Sequence, residues 1–172
     1  MAQGEYMLAH LLEEPRQEGS EFRSWPAHMT VLPWFACLDL VVVENALEAV
    51  CDQYVSIEVT TGPMKYLDDK KEGDEVEMVR QVELTPELLG FHLDLLTAIQ
   101  DPETWAEIQR KIEFFGEDYD PHVTKHHGYE EGRTLSIDHL SLVSAPEAKP
   151  NENRLKTVER NFRLGHSDEA AA

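Results

Sequence analysis

The stretches Pro26-Ala27-His28-Met29-Thr30-Val31 and Pro121-His122-Val123-Thr124 carry the same His-x-Thr motif, once in each half of the chain. Each motif follows a proline closely and lies in a segment whose composition predicts a β-strand. Because alternate side chains of a strand share a face, each motif presents its histidine and its threonine on the same side. Two such strands, from opposite halves of a pseudo-symmetric fold, would bring two imidazoles and two hydroxyls into one cleft.

The strand of the first motif is predicted to run from His28 to Phe35, since this segment is rich in β-branched and aromatic residues. Pro33 lacks a backbone donor, so it indicates an edge strand or a bulge. Strict alternation would place His28, Thr30 and Leu32 on one face.

The rest of the chain is predicted to contain both helices and strands. Asp39 is a predicted N-cap for an amphipathic helix that runs through Tyr54, and Thr85-Pro86 begins a helix that continues to Ile99. A further helical stretch is predicted from Asp101-Pro102 to Phe115. The other predicted strands are Tyr6–Leu12, Ser56–Thr61, Met64–Leu67, Glu75–Leu84, Tyr119–His126, Arg133–Ser144 and Thr157–Leu164.

Length and composition predict one globular domain over residues 1–172, with a core from about residue 6 to residue 164. A chain of 172 residues with 41% hydrophobic residues matches one ordinary domain. The two cysteines, Cys37 and Cys51, form no CxxC motif, so neither a disulfide framework nor a zinc ribbon is indicated. We find no basic segment ahead of a long apolar run at the N-terminus, and we expect a soluble, cytoplasmic monomer that contacts no membrane.

The charge of the chain limits its partners. It has 15 Lys and Arg against 34 Asp and Glu, and the net charge of -19 would repel a polyanion. We therefore expect no binding to duplex DNA or long RNA. A small nucleotide or a short oligonucleotide remains a possible substrate, because a few local donors can hold one phosphate against an unfavourable distant field.

The paired motifs resemble those of the 2H phosphoesterase superfamily, and the resemblance extends over approximately Tyr6 to Leu164. Within it, the chain is similar to the group related to bacterial RNA 2',3'-cyclic phosphodiesterases, also called 2'-5' RNA ligase-like proteins. In that family two His-x-Thr/Ser motifs, each ending in a hydrophobic residue, line a cleft between duplicated lobes. The first motif ends in Val31 and matches fully, whereas the second departs at Lys125.

The resemblance implies an α+β fold of two pseudo-symmetric lobes of antiparallel sheet, flanked by helices, with a central cleft. It also implies metal-independent and cofactor-independent catalysis by His28, Thr30, His122 and Thr124. One imidazole would act as a base and the other as an acid, while the threonine hydroxyls would bind the non-bridging phosphate oxygens. The expected reaction is the opening of a 2',3'-cyclic phosphate, or cleavage of a 2'-5' linked or cyclic nucleotide.

Four further residues are candidates for substrate binding, and each has an alternative interpretation. His126 is predicted to share the face of His122 and could contact substrate, or it could be a histidine at the cleft rim. Lys125 and Arg133 are the nearest cations for a phosphate, or they are solvated. Trp34 could stack on a base, as could the neighbouring aromatic residues, or it could belong to the core. The aromatic residues near the first motif are Trp25, Trp34 and Phe35.

A metal site is the first alternative to metal-independent catalysis. His126-His127 and His139 offer imidazole ligands, and His122 with His126 has the spacing that suits zinc on a helix. Along a strand the same spacing separates the side chains by about 13 Å. We therefore predict no metal in the catalytic site.

A binding module on the same scaffold is the second alternative. Such a protein would hold a nucleotide or a protein partner without turnover. The intact set of two histidines and two threonines favours an enzyme.

Overall fold

A computed structural model of the chain describes residues 5–66, 78–101, 107–108, 116–124, 128–146 and 154–165. These residues form an α+β fold in which strands pair antiparallel in one extended sheet. The two helices are α1 (Leu40–Cys51) and α2 (Pro86–Gln100). The strands are β1 (Glu5–Leu11), β2 (Glu21–Phe22), β3 (His28–Ala36), β4 (Ile57–Tyr66), β5 (Met78–Val82), β6 (Glu107–Ile108), β7 (His122–Thr124), β8 (Thr134–Ile137), β9 (His139–Ala145) and β10 (Lys156–Arg163).

The order of strands in the sheet has an approximate two-fold symmetry. The order is β2-β10-β9-β1-β3-β7-β5-β4-β8, and β6 also pairs with β3. Outward from the central pair β3 and β7, strand β1 matches β5, β9 matches β4, and β10 matches β8. We call the β3 side the first lobe and the β7 side the second lobe. The α+β class with two pseudo-symmetric antiparallel lobes, predicted from the sequence, is thus confirmed.

The sheet buries apolar side chains on both of its faces. On one, which we call the helix face, α1 and α2 pack through Val43, Leu47, Phe91 and Leu95 in the main core. The opposite face, which we call the second face, carries a smaller cluster in the first lobe. Its members come from strands and adjoining loops and include Met7, Leu11, Trp34, Val143 and Val158.

Both helices begin at the caps that the sequence predicted. The Asp39 carboxylate accepts hydrogen bonds from N–H groups of the first turn of α1, and the Thr85 hydroxyl accepts one from Leu88 at 3.1 Å. Helix α1 ends at Cys51 and not at Tyr54, because the next residues close shorter turns. Among the described residues, no helix is long and apolar enough to cross a membrane.

Strand β3 contains two bulges. Between the pairs Tyr6–Phe35 and Leu8–Leu32, three residues of β3 oppose two of β1, which confirms the bulge that Pro33 predicted. A second irregularity separates Leu32 from Thr30. It turns Leu32 into the main core, so the prediction that Leu32 shares a face with Thr30 is wrong.

Two predicted strand boundaries differ from the structure. The two strands predicted on either side of Gly62-Pro63 form one strand, β4, which absorbs an extra residue there as a bulge. The single strand predicted over Arg133–Ser144 divides at Asp138. Its first part, β8, pairs with β4 in the second lobe, and its second part, β9, pairs with β1 and β10 in the first lobe.

The helix predicted over residues 101–115 is wrong where the chain is described. Glu107–Ile108 form strand β6 and pair with Phe35 and Ala36 at the end of β3. Within the described part of the chain, β7 pairs with β3 only at His28 and Met29, so the backbone groups at the far end of β3 can accept this extra strand. Residues 102–106 and 109–115 of that prediction lie outside the described residues, as do Lys125 and His126 of the strand predicted over Tyr119–His126.

A buried histidine of α2 braces the strand of the first motif. His92 donates from Nδ1 to the Val31 carbonyl at 2.8 Å and accepts from the Gly116 N–H at Nε2, at 2.9 Å. Its ring stacks on Tyr119 with the centroids 3.9 Å apart, and the Tyr119 hydroxyl donates to the Thr30 carbonyl at 2.9 Å. Helix α2 and the segment before the second motif therefore both hold β3.

We predict that His92→Phe lowers the free energy of unfolding by about 2–4 kcal/mol, because it leaves the buried Val31 carbonyl and the partly buried Gly116 N–H without this partner. Tyr119→Phe keeps the ring and should cost about 1 kcal/mol. Urea unfolding measures both, with the exposed Thr97→Ala on α2 as the control, expected within about 0.5 kcal/mol of wild type. A His92→Phe protein as stable as wild type would contradict the stabilising role of the His92 hydrogen bonds.

Acid should destabilise the fold through its buried histidines. Burial lowers the pKa of His92, and burial lowers the pKa of His10, which is 4% exposed, to about 4. An unfolded histidine titrates near 6.5, so as the pH falls from about 6.5 to 4 the unfolded chain binds protons that the folded chain does not. This proton uptake lowers the free energy of unfolding, and we predict that His10 alone accounts for up to about 3 kcal/mol of the decrease. Urea unfolding at pH 7 and pH 4.5, with EDTA present, should show a smaller loss for His10→Gln, and an equal loss would refute the assignment.

Candidate active site

The two His-x-Thr motifs lie side by side on the central pair of strands. In the antiparallel pairing of β3 with β7, His28 lies opposite Thr124 and Met29 lies opposite Val123. Continuing this register places Thr30 opposite His122. The approximate two-fold axis of the sheet therefore passes through the Met29–Val123 pair and exchanges one motif for the other.

All four motif side chains belong to the second face. Met29 and Val123 are both buried in the main core on the helix face, and their neighbours along each strand must point the other way. His28 and His122 are then diagonal neighbours across adjacent strands, which lie about 7–8 Å apart, with their Cβ atoms somewhat closer. A group the size of a phosphate can bridge two imidazoles at that separation.

Both histidines are held by the same contact. His28 donates from Nδ1 to the carbonyl of Pro26, and His122 donates from Nδ1 to the carbonyl of Asp120, each at 2.9 Å. A carbonyl oxygen only accepts, so Nδ1 carries the proton in each ring. In the neutral imidazole Nε2 then carries the lone pair, and Nε2 is the atom that can take or give a proton in catalysis.

The surroundings of the two histidines differ. His28 is 5% exposed and stacks on Trp25, with the ring centroids 4.3 Å apart and the planes at 27°. His122 is half-buried, and Asp120, whose carbonyl holds it, forms an ion pair with Lys65. The approximate symmetry of the motifs is therefore broken by an aromatic neighbour in one lobe and by a charged pair in the other.

Gln81 is a further polar residue at the site, and the sequence analysis missed it. It lies opposite His122 in the pairing of β5 with β7, so both side chains share the second face. Gln81 also lines a shallow cavity of about 260 Å³, together with Thr60, Thr61, Gly62, Pro63 and Glu83. Only the strand register shows this position, because nothing in the local sequence marks Gln81.

Of the four predicted substrate-binding residues, two, Arg133 and Trp34, lie in the described part of the chain. Arg133 is exposed, donates to the Gly128 carbonyl at 2.9 Å and lies over the Tyr129 ring at 4.8 Å. Trp34 is 6% exposed within the smaller cluster, and the guanidinium of Arg154 lies 4.6 Å from its ring centre. The Trp34 ring also meets the Trp25 ring, with centroids 6.2 Å apart, and the roles of Arg133 and Trp34 in binding substrate stay predictions. Lys125 and His126 lie outside the described residues.

Comparison with solved structures finds the α+β fold of this chain in several other proteins. Similar structures include the protein TT0787 of Thermus thermophilus (TM-score 0.61, 13% identity, covering 95% of this chain and 100% of that one). They also include a phosphoesterase (TM-score 0.57, 11% identity, covering 95% and 99%) and E. coli LigT in complex with 3'-AMP (TM-score 0.54, 11% identity, covering 96% and 100%).

At these identities the likeness concerns the fold. No protein-family model and no curated protein sequence matches the chain. The fold that the resemblance to the 2H phosphoesterase superfamily implied is therefore shared with these solved structures, over nearly the whole length of the chain and of its structural neighbours.

The common anchoring of the two histidines leads to a prediction about their tautomers. In long-range ¹H–¹⁵N NMR spectra at a pH where both rings are neutral, His28 and His122 should each carry the proton on Nδ1, because each Nδ1 donates to a carbonyl. The variants His28→Asn and His122→Asn assign the two signals among those of the eight histidines. A proton on Nε2 of either ring would contradict the geometry.

Proposed function

We propose that this protein is a metal-independent phosphodiesterase of the 2H type, which acts on 2',3'-cyclic phosphates or on 2'-5' linked or cyclic nucleotides. One observation carries the proposal: two histidines on adjacent strands are anchored through Nδ1 in the same way and lie on the same face. With Nδ1 of each ring donating to a carbonyl, Nε2 is the atom through which each ring would contact one phosphate bound above the β3–β7 pair.

The symmetry of the site fits an in-line displacement at phosphorus. In that reaction the attacking and leaving oxygens lie on opposite sides of the phosphorus atom. A phosphate on the approximate two-fold axis would present one of these oxygens to His28 and the other to His122. One Nε2 takes the proton of the attacking water and the other gives a proton to the departing ribose oxygen.

The threonine hydroxyls serve the remaining oxygens. Thr30 and Thr124 occupy positions related by the same axis, on the same face as the histidines. Each hydroxyl can donate to a non-bridging oxygen as negative charge increases in the transition state. The four side chains thus supply the proton transfers and the oxyanion contacts that hydrolysis of the cyclic ester requires.

The charge of the protein and the structures of its neighbours support a small nucleotide as the substrate. The net charge of -19 opposes a long polyanion but permits a single phosphate with a few local donors. E. coli LigT has been solved in complexes with 3'-AMP and with NADP+, and we extend small-nucleotide binding from that protein to this one as part of the proposal. Trp25 and Gln81, which flank the two histidines, are the candidates for contacts to the nucleoside.

The central assay measures turnover of 2',3'-cyclic mononucleotides and 2'-5' linked dinucleotides in the presence of EDTA. We predict turnover in EDTA, and a loss of at least about 100-fold for His28→Asn and for His122→Asn, since acid or base catalysis is worth about 10²–10⁴. Asparagine keeps a donor for the anchoring carbonyl, so the loss would report on Nε2. The double variant should fall far short of the product of the two losses.

Substitution of the threonines provides the matched comparison. Thr30→Ala and Thr124→Ala should each cost less than the histidine changes, and the exposed Thr97→Ala should cost nothing. Wild-type protein without turnover on any of these substrates, or a His122→Asn protein with full turnover, would favour the nucleotide- or protein-binding module over the enzyme.

The pH dependence provides an independent check. Because one imidazole must be neutral and the other protonated, kcat/KM should follow a bell-shaped curve with pH. In His28→Asn or His122→Asn, one limb of the bell should disappear from the residual rate. A bell with both limbs intact in both variants would show that other groups carry the protons.

A further inference from the structure

A second group of histidines lies apart from the two motifs. One potential ligand atom from each of His10, Asp138 and His139 lies within 4.8 Å of the other two. His10 is on β1, while Asp138 and His139 stand where the chain passes from β8 of the second lobe to β9 of the first. The rings of His10 and His139 are in contact, with centroids 4.7 Å apart and planes at 58°. The sequence analysis left His10 without a role and did not place it beside His139.

Hydrogen bonds fix the tautomers of both rings. His10 Nδ1 donates to the His139 carbonyl at 2.8 Å, and His139 Nδ1 donates to the Asp138 carboxylate at 2.6 Å. In each neutral ring the lone pair is then on Nε2. A histidine whose Nδ1 donates to a carbonyl or carboxylate while Nε2 points elsewhere has the arrangement that metal-binding histidines show, because this contact orients the ring and raises its basicity.

The Nε2 atom of His139 is an unsatisfied hydrogen-bond acceptor. It is buried, and within the described part of the chain it has no hydrogen-bond partner. Leaving a buried acceptor unpaired is costly, so a ligand at this atom would remove the cost. His10 is 4% exposed, and because its Nδ1 donates to the His139 carbonyl, its Nε2 holds the lone pair that a metal ion requires.

We propose that His10 and His139 bind a divalent transition-metal ion of the zinc type through their Nε2 atoms, with Asp138 as the residue that positions His139. Imidazole nitrogen is a preferred ligand of such ions. Water completes the coordination, since Asp138 and its neighbourhood reach the surface. The ion would join β1 to the connection between β8 and β9. It would be separate from the four motif residues of the proposed catalytic site.

The charges around the site make the proposal specific. The Asp138 carboxylate favours a cation, whereas the positive charge of Arg16 acts on His10 and opposes one. Removing the Arg16 charge should therefore strengthen metal binding. Removing the Asp138 charge should weaken it.

The test is Zn²⁺ binding to the full chain, measured by equilibrium dialysis after treatment with EDTA and its removal, with circular dichroism as the check of folding. We expect His10→Gln and His139→Gln each to remove one equivalent of Zn²⁺ that His127→Gln and His28→Asn retain. Asp138→Asn should weaken binding of that equivalent by about 10–100-fold, and Arg16→Gln should strengthen it. In NMR spectra, Zn²⁺ should shift the Nε2 signals of His10 and His139.

Two results would overturn the proposal: no equivalent lost in His10→Gln and His139→Gln, or an equivalent lost instead in His28→Asn or His127→Gln. The phosphodiesterase assay is run in EDTA and the Zn²⁺ experiment does not measure turnover. Failure of either proposal therefore leaves the other standing.

Discussion

The pairing of β3 with β7 is the constraint on which the candidate site depends. This pair joins the two lobes, and its register alone sets which side chains of the motifs share a face. A slip of one residue would turn His122 and Thr124 into the main core and expose Val123. Met29 is 1% exposed and Val123 is fully buried, so the burial of these two side chains opposes that slip. The hydrophobic residue at the centre of each motif therefore sets the geometry of the polar residues around it.

The site is also held from outside the sheet. Helix α2 reaches β3 through His92, and the segment before β7 reaches β3 through Tyr119. The stacked rings of these two residues join the helix to that segment. Each imidazole of the motifs is fixed by a carbonyl two residues upstream, close to a proline that restricts the backbone. Rigid anchors of this kind limit the loss of entropy when a phosphate is bound, which is a general requirement for efficient acid and base catalysis.

The sequence could predict the parts of the fold that local patterns control. The caps at Asp39 and Thr85, the bulge at Pro33 and the strands of the two motifs all follow from residue type and spacing. Features that depend on distant partners could not be predicted. Strand β6 forms because the far end of β3 accepts it, and Gln81 reaches the site only through the register of β5 with β7. The two motifs were therefore visible in the sequence, but most of their surroundings were not.

The most direct test of the account is a crystal structure of the protein with a nucleoside and orthovanadate, which imitates the five-coordinate phosphorus of an in-line displacement. Vanadium should lie above the Met29–Val123 pair. The Nε2 atoms of His28 and His122 should each lie about 3 Å from opposite apical oxygens, and the hydroxyls of Thr30 and Thr124 should contact equatorial oxygens. Vanadate bound at another place, or contacted by only one of the two histidines, would contradict the shared site that the strand pairing indicates.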